Sequence, residues 1–180
     1  MKRSLLAAAI LACTAPLLSA ASDYLLEIEG IKGESTDNTH PGAIEISSFS
    51  WGLSNAGTTT VGGGGAGKAS FQDFHFVCKQ DKSSPQLMLR CASGEHIASA
   101  TLFVRKSSAD GSVRDYYKIT LTDILVSGFS EQAPPSGGAT SSSSPLETVS
   151  LNFSTIVVEY MAADSSVSRA GWDLKANTKI

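Results

Sequence analysis

The chain has 180 residues, 42% of them hydrophobic and 17% charged, with a formal net charge of −3. Ordinary apolar content excludes disorder over most of the chain, and the length suits one domain of about 160 residues that buries about two-thirds of its unfolded surface. With no basic excess, nucleic-acid and anionic-membrane partners are unsupported.

Residues 1–21 read as a signal peptide ahead of a single domain, 22–180. Met1-Lys2-Arg3 is a basic n-region, Leu5 to Ala12 an apolar h-region, and Ser19-Ala20-Ala21 a small-residue cleavage site. The apolar run is shorter than the ~20 residues a spanning anchor needs. Ile10-Leu11-Ala12-Cys13 loosely matches a lipoprotein box, and a lipid on Cys13 would be the one route to a membrane. Either processing predicts export, to the periplasm or outside the cell. Cys78 and Cys91 then remain in an oxidising space, where a bridge between them and two small buried thiols are both compatible with the pattern.

Asp23 to Ile31 is expected as a first strand, with Tyr24, Leu26 and Ile28 on one face and Glu27 and Glu29 opposite. A polar loop ends at Pro41-Gly42, a turn signal. Ala43 to Leu53 is a second strand whose switch from Ile44 and Ile46 to Phe49 and Trp51 predicts a bulge near Ser47-Ser48. A glycine-rich segment to Ala69 reads as flexible. Phe74, Phe76 and Cys78 then alternate with His75 and Val77, the pattern of a half-buried strand.

Ser84-Pro85 opens a short helix over about 84–93 and Gly94 ends it. Leu87, Met88, Leu89, Cys91 and Ala92 cover an arc wider than a surface helix needs, leaving Gln86 and Arg90 polar. A helix this short does not persist alone. It is expected to be buried on more than one side, either plugging the end of a barrel or meeting another subunit.

Strands follow at His96–Lys106, Arg114–Phe129 and Thr148–Met161, with an Asp110-Gly111 hairpin turn between the first two. In the second of them Tyr117, Ile119, Leu121 and Ile124 are placed on one side. Residues 133–145 form a Pro/Gly/Ser tract. A polar break over 162–171 precedes a short last strand at Trp172–Lys175. Six or seven antiparallel strands with one helix predict a mainly β protein, a two-sheet barrel or sandwich.

Catalytic patterns fail on inspection. Gly62 to Lys68 approaches a phosphate-binding loop, but Ala69 stands where a hydroxyl must hold magnesium, and a strand follows instead of a helix. Asp73, His75 and His96 are scattered candidates for metal ligands, and no G-x-S-x-G elbow raises a serine. Glu27, Glu29 and Glu45 read as a solvated face. The expectation is a binding or assembly protein, without cofactor, metal or enzymatic activity.

The ordered series LEIEGIKGEST, SFSWG, FQDFHF, DKSSPQLMLRCASGEHI, YYKITLTDILVSGFS, ETVSLNFSTIVVEY and AGWDLKANTKI resembles the Hcp (haemolysin-coregulated protein) family, the tube protein of bacterial type VI secretion. The resemblance implies a two-sheet barrel with a helix at its side, hexameric rings, and stacking of rings into a hollow tube. Sheath, spike and effector proteins would be its partners. In that family the loop after the second strand takes part in stacking, which here points to Leu53–Ala69 with Gly62, Gly63, Gly64 and Gly65. Leu87, Met88 and Leu89 are the helical candidates for subunit contact. A leader departs from the family pattern, and a second expectation follows from it: an exported binding domain on the same barrel that does not form tubes.

Overall fold

A computed structural model describes residues 23–57, 68–107, 111–133 and 144–180. The proposed leader, Gly62–Gly65, Asp110 and most of the Pro/Gly/Ser tract lie outside the described residues. The elements run β1 Tyr24–Ile28, β2 Ile44–Ser50, β3 Leu53–Asn55, β4 Ala69–Phe71, β5 Phe74–Lys79, α1 Ser84–Ser93, β6 Ile97–Ser107, β7 Val113–Gln132, β8 Leu146–Met161, β9 Val167–Asp173 and β10 Thr178–Lys179.

Every pairing is antiparallel. Strand order is β5-β2-β1-β6-β7-β8, and β8 returns to β5, so six strands close a barrel. Closure removes the unpaired edges that would otherwise invite uncontrolled pairing. β9 and β10 extend the sheet beyond β8, and β3–β4 form a separate two-stranded ribbon.

The core follows the alternation in the sequence. Phe74, Phe76 and Cys78 are fully buried, joined by Leu26, Ile44, Leu102, Ile119, Val149 and Leu151. The register of β2 against β5 shifts between Ile46 and Ser48, the predicted bulge. Tyr24, Phe49 and Phe74 form an aromatic run with centroid separations of 5.4 and 5.8 Å.

A second irregularity crosses three strands at one level. Ile97 and Ala100 on β6, Leu121 and Ile124 on β7, and Phe153 and Ile156 on β8 are all buried although each pair is three residues apart. Strict alternation would send one of each pair outward. Asp123 lies in the middle of that level with φ 51°, a left-handed conformation for which aspartate is among the better-suited residues. The kink re-aims the long strand so that both halves cover the core. It also explains why Ile124 joins Ile119 and Leu121 on one side against the two-residue period.

Four expectations need correction. Among the described residues there are ten strands, not six or seven. Residues 54, 55 and 69, read as flexible, pair within the β3–β4 ribbon; and the strand expected to begin at Trp172 begins at Val167. The turn 162–166 uses Ser165 at φ 67° and Asp164, whose carboxylate accepts from Ser166. Ser84 is not the helix cap. Ser83 takes that place without a side-chain bond, and Asp81 Oδ1 accepts from the Ser83 amide at 2.7 Å instead. Gly94 does end the helix, at φ 68°.

Candidate assembly surface

The scattered chemical candidates stay apart. His75 Nδ1 meets Ser150 Oγ at 2.7 Å, Asp73 accepts from Ser127 and Asn152, and His96 Nδ1 contacts Asp123. No cluster with metal-ligand composition occurs among the described residues. Cys78 and Cys91 are free thiols, so the bridge is not formed. Cys78 points into the core from β5 and its thiol reaches Glu147 Oε2 at 3.8 Å. Burial, then the Glu147 and Asp81 charges, push that thiol up to about 12.

What the chain does present is apolar surface. α1 packs on β7 and sends Leu87 fully into the core. Only Ser84 and Leu87 of this helix are buried. The expectation of burial on more than one side therefore fails within a single chain. Met88 is 50% and Leu89 53% exposed, and Ala92 is open as well. A ten-residue helix held mainly by Leu87, with Cys91 partly packed on the core, leaves Met88, Leu89 and Ala92 of its broad arc to solvent because the barrel is already closed without it.

A second apolar region is a groove of about 380 Å³ between the β3–β4 ribbon and the β8–β9 pair. Trp51, Leu53, Phe71, Val158 and Trp172 line it. Gly171 lets the C-terminus cross here: a Cβ at that position would stand 2.7 Å from Ile180 Cγ1 and 3.0 Å from Val157 Cγ2. A third region lies at the β8–β9 turn, where Tyr160, Met161 and Val167 are exposed and Tyr116 meets Tyr160 edge-on at 6.3 Å. Of these regions the sequence singled out Leu87–Leu89 on α1 and, through the loop Leu53–Ala69, one edge of the groove. Val167 lies in a segment that reads as a polar break.

The loop between β1 and β2 is fastened by buried charge that the sequence did not reveal. His40 is buried, its Nδ1 3.0 Å from Glu27 Oε1 and its Nε2 3.0 Å from Asp115 Oδ2. Both nitrogens face carboxylates, so the imidazolium with two N–H donors is the form that satisfies them. Burial works against that charge, but the Glu27 and Asp115 bonds outweigh it and raise the His40 pKa. Its ring packs on Phe103 at 4.0 Å. Buried Arg105 pairs with Asp37, and its Nε lies 3.1 Å from Asp115 Oδ1, within ion-pair reach but not aligned as a hydrogen bond. Asp37 is desolvated by burial, yet the Thr39 and His40 amides and Arg105 together hold its carboxyl below the usual range.

A second polar joint ties the C-terminal extension to the barrel. Asp123 contacts Lys175, accepts from Ser154 Oγ at 2.7 Å and meets His96, and these partners hold its carboxyl well below the ordinary range. The Leu174 amide also donates to the Ser154 carbonyl at 2.9 Å. The extension is thus positioned by β7 and β8, the two longest strands.

This architecture has known counterparts. A family model described as "Type VI secretion system effector, Hcp" matches residues 25–160. Protein hcp1 of Pseudomonas aeruginosa is 38% identical over 166 residues, spanning 88% of this chain and 99% of that protein. The crystal structure of Hcp1 from Salmonella typhimurium matches with a TM-score of 0.73 at 38% identity, over 89% of this chain and 99% of that one. A type VI secretion system effector from Yersinia pestis matches with a TM-score of 0.68 at 27% identity, over 84% and 99% of the two chains. The closed six-stranded barrel with its side helix and the matched span agree, and the chain belongs to the Hcp family, the tube component of type VI secretion.

Proposed function

We propose that copies of this chain close into hexameric rings, that the rings stack into a hollow tube, and that the tube carries effector proteins, with a sheath around it and a spike at its tip. The role is structural and not catalytic. The observation that carries the reading is the apolar face of α1: Met88 and Leu89 are half exposed on a helix whose own barrel needs only Leu87. Exposed apolar surface of this kind marks contact sites. Gly62–Gly65 belong to the same reading as ring-to-ring contacts, and residues 1–21 as a leader that places the assembly outside the cytoplasm.

Met88→Asp tests the role of α1. A carboxylate enclosed in a subunit interface without a partner costs several kcal/mol, whereas at the half-exposed Met88 of a single chain it stays hydrated. Sedimentation velocity on the purified variant is expected to show loss of rings with the far-ultraviolet spectrum unchanged. Rings that survive this substitution place the subunit contact elsewhere. Mass spectrometry of the protein recovered from its host tests the leader, with a mature chain beginning at Ser22 expected and a retained Met1 contradicting it.

A further inference from the structure

We propose that Glu147 and Glu131 hold a shared proton that fastens the first turn of α1 to the barrel, and that α1 loosens as this proton is lost. Glu147, on β8, is 0% exposed. It stands opposite Cys78 of β5 and Glu131 of β7 in the strand registers, and the Ser84 hydroxyl of α1 also reaches it. Its Oε2 accepts from the Cys78 thiol, while Oε1 has no bonding partner.

The charged groups around this position are of one sign. Asp81 precedes α1, Glu131 faces from β7, and Cys78 stays a neutral thiol. Lys79 and Lys82 are exposed, and Arg90 is engaged by Glu95. Among the described residues no lysine, arginine or histidine pairs with Glu147, Glu131 or Asp81. A buried carboxylate without a cation is costly, and such groups take up a proton instead. Glu131 stands opposite Glu147 in the register, and two carboxylates offer only acceptors to each other, so a bond between them needs a proton. Burial is the main cause that moves the Glu147 pKa upward; the Ser84 hydroxyl works against it, and the neighbouring Glu131 carboxylate adds to the rise, which prevails.

The element placed to respond is α1. Only Ser84 and Leu87 of it are buried, with Cys91 packed partly against the core, and low local anchorage is what permits opening below the global unfolding energy. A cavity of about 330 Å³ lined by Ser84, Pro85, Met88, Phe129 and Glu131 lies beside the first turn and gives water access once that turn lifts. Opening then hydrates Glu147 and releases one proton. Linkage fixes the sign: the closed helix binds the proton more tightly, so acid fastens α1 and rising pH loosens it. Because Met88 rides on the same turn, assembly becomes proton-sensitive. That consequence rests on the ring reading; the latch itself does not.

Hydrogen exchange by NMR on the full chain tests the latch. After correction for intrinsic rates, exchange at the Leu87 and Met88 amides should climb by up to about tenfold per pH unit between the ordinary glutamate pKa and that of Glu147, one proton being released per opening. In E147Q this slope should vanish while β5 and β8 amides stay protected. Should E147Q not fold, E131Q removes the like charge and should move the midpoint of the slope downward. A flat profile in the unmodified chain, or a slope unchanged in E147Q or E131Q, overturns the proposal. Sedimentation on the same samples reads assembly separately, so loss of rings and failure of the latch are distinguishable.

Discussion

Replacing Leu87 by alanine should release α1 from the barrel. Leu87 is completely buried and is the one fully buried apolar side chain of the helix. Leucine-to-alanine changes in cores cost about 2–5 kcal/mol, depending on how far the site collapses. Here the helix touches the barrel on one side and can settle toward the void, which favours about 2–4 kcal/mol. For a domain of this length that lowers the melting temperature by about 5–15 °C. Met88→Ala is the matched control: a half-exposed side chain should cost about 0.5 kcal/mol or less within the single chain. Urea unfolding at equal, low concentration compares the two. A Leu87→Ala cost below about 1 kcal/mol, or equal costs for both variants, would refute the claim that one leucine anchors the helix.

Three further outcomes follow from the polar and packed sites. His40 has a raised pKa, so its stabilisation is complete below its ordinary value of 6.5 and fades as pH rises through the folded value; His40→Gln should abolish that decline in melting temperature at mildly alkaline pH, and an unchanged profile would remove the His40 clasp from the account. Gly171→Ala should cost about 1–3 kcal/mol through its contacts with Ile180, Val157 and the Ile156 carbonyl, with partial recovery when Ile180 is also shortened to alanine; a neutral substitution would show that the C-terminus is not packed there. Folded protein at pH 8 should alkylate at Cys91 and not at Cys78, whose buried thiol is pushed up to about 12; peptide mapping that finds Cys78 modified first would contradict its position in the core.

The barrel wall could be read from the sequence because its signals are local. Phe74, Phe76 and Cys78 alternate cleanly and are fully buried, the Ser47-Ser48 break is a bulge, and proline and glycine bracket α1. The first half of β9, Val167–Ala170, and the pairing of β3 with β4 were missed because those residues are largely exposed, so no alternation is required of them. The clasp around His40 was invisible for another reason. It joins Glu27, Asp37, Arg105 and Asp115 from three strands and a loop, and nothing local marks residues that meet only after closure. Asp123 lies between these cases: Ile124 was placed on one side with Ile119 and Leu121, as it is in the structure, but nothing in that spacing marked the left-handed residue before it. On the candidate surface, the width of the α1 arc was readable, whereas its lack of cover within one chain needed the closed barrel. The groove at Trp51 and Trp172 depends on strands that pair across the chain.

Ring formation is the central claim, and native mass spectrometry of the purified chain tests it most directly. A closed species of six chains, each a processed form of the 18.7 kDa precursor, is expected to persist at micromolar concentration. A single-chain mass at high micromolar concentration would contradict it.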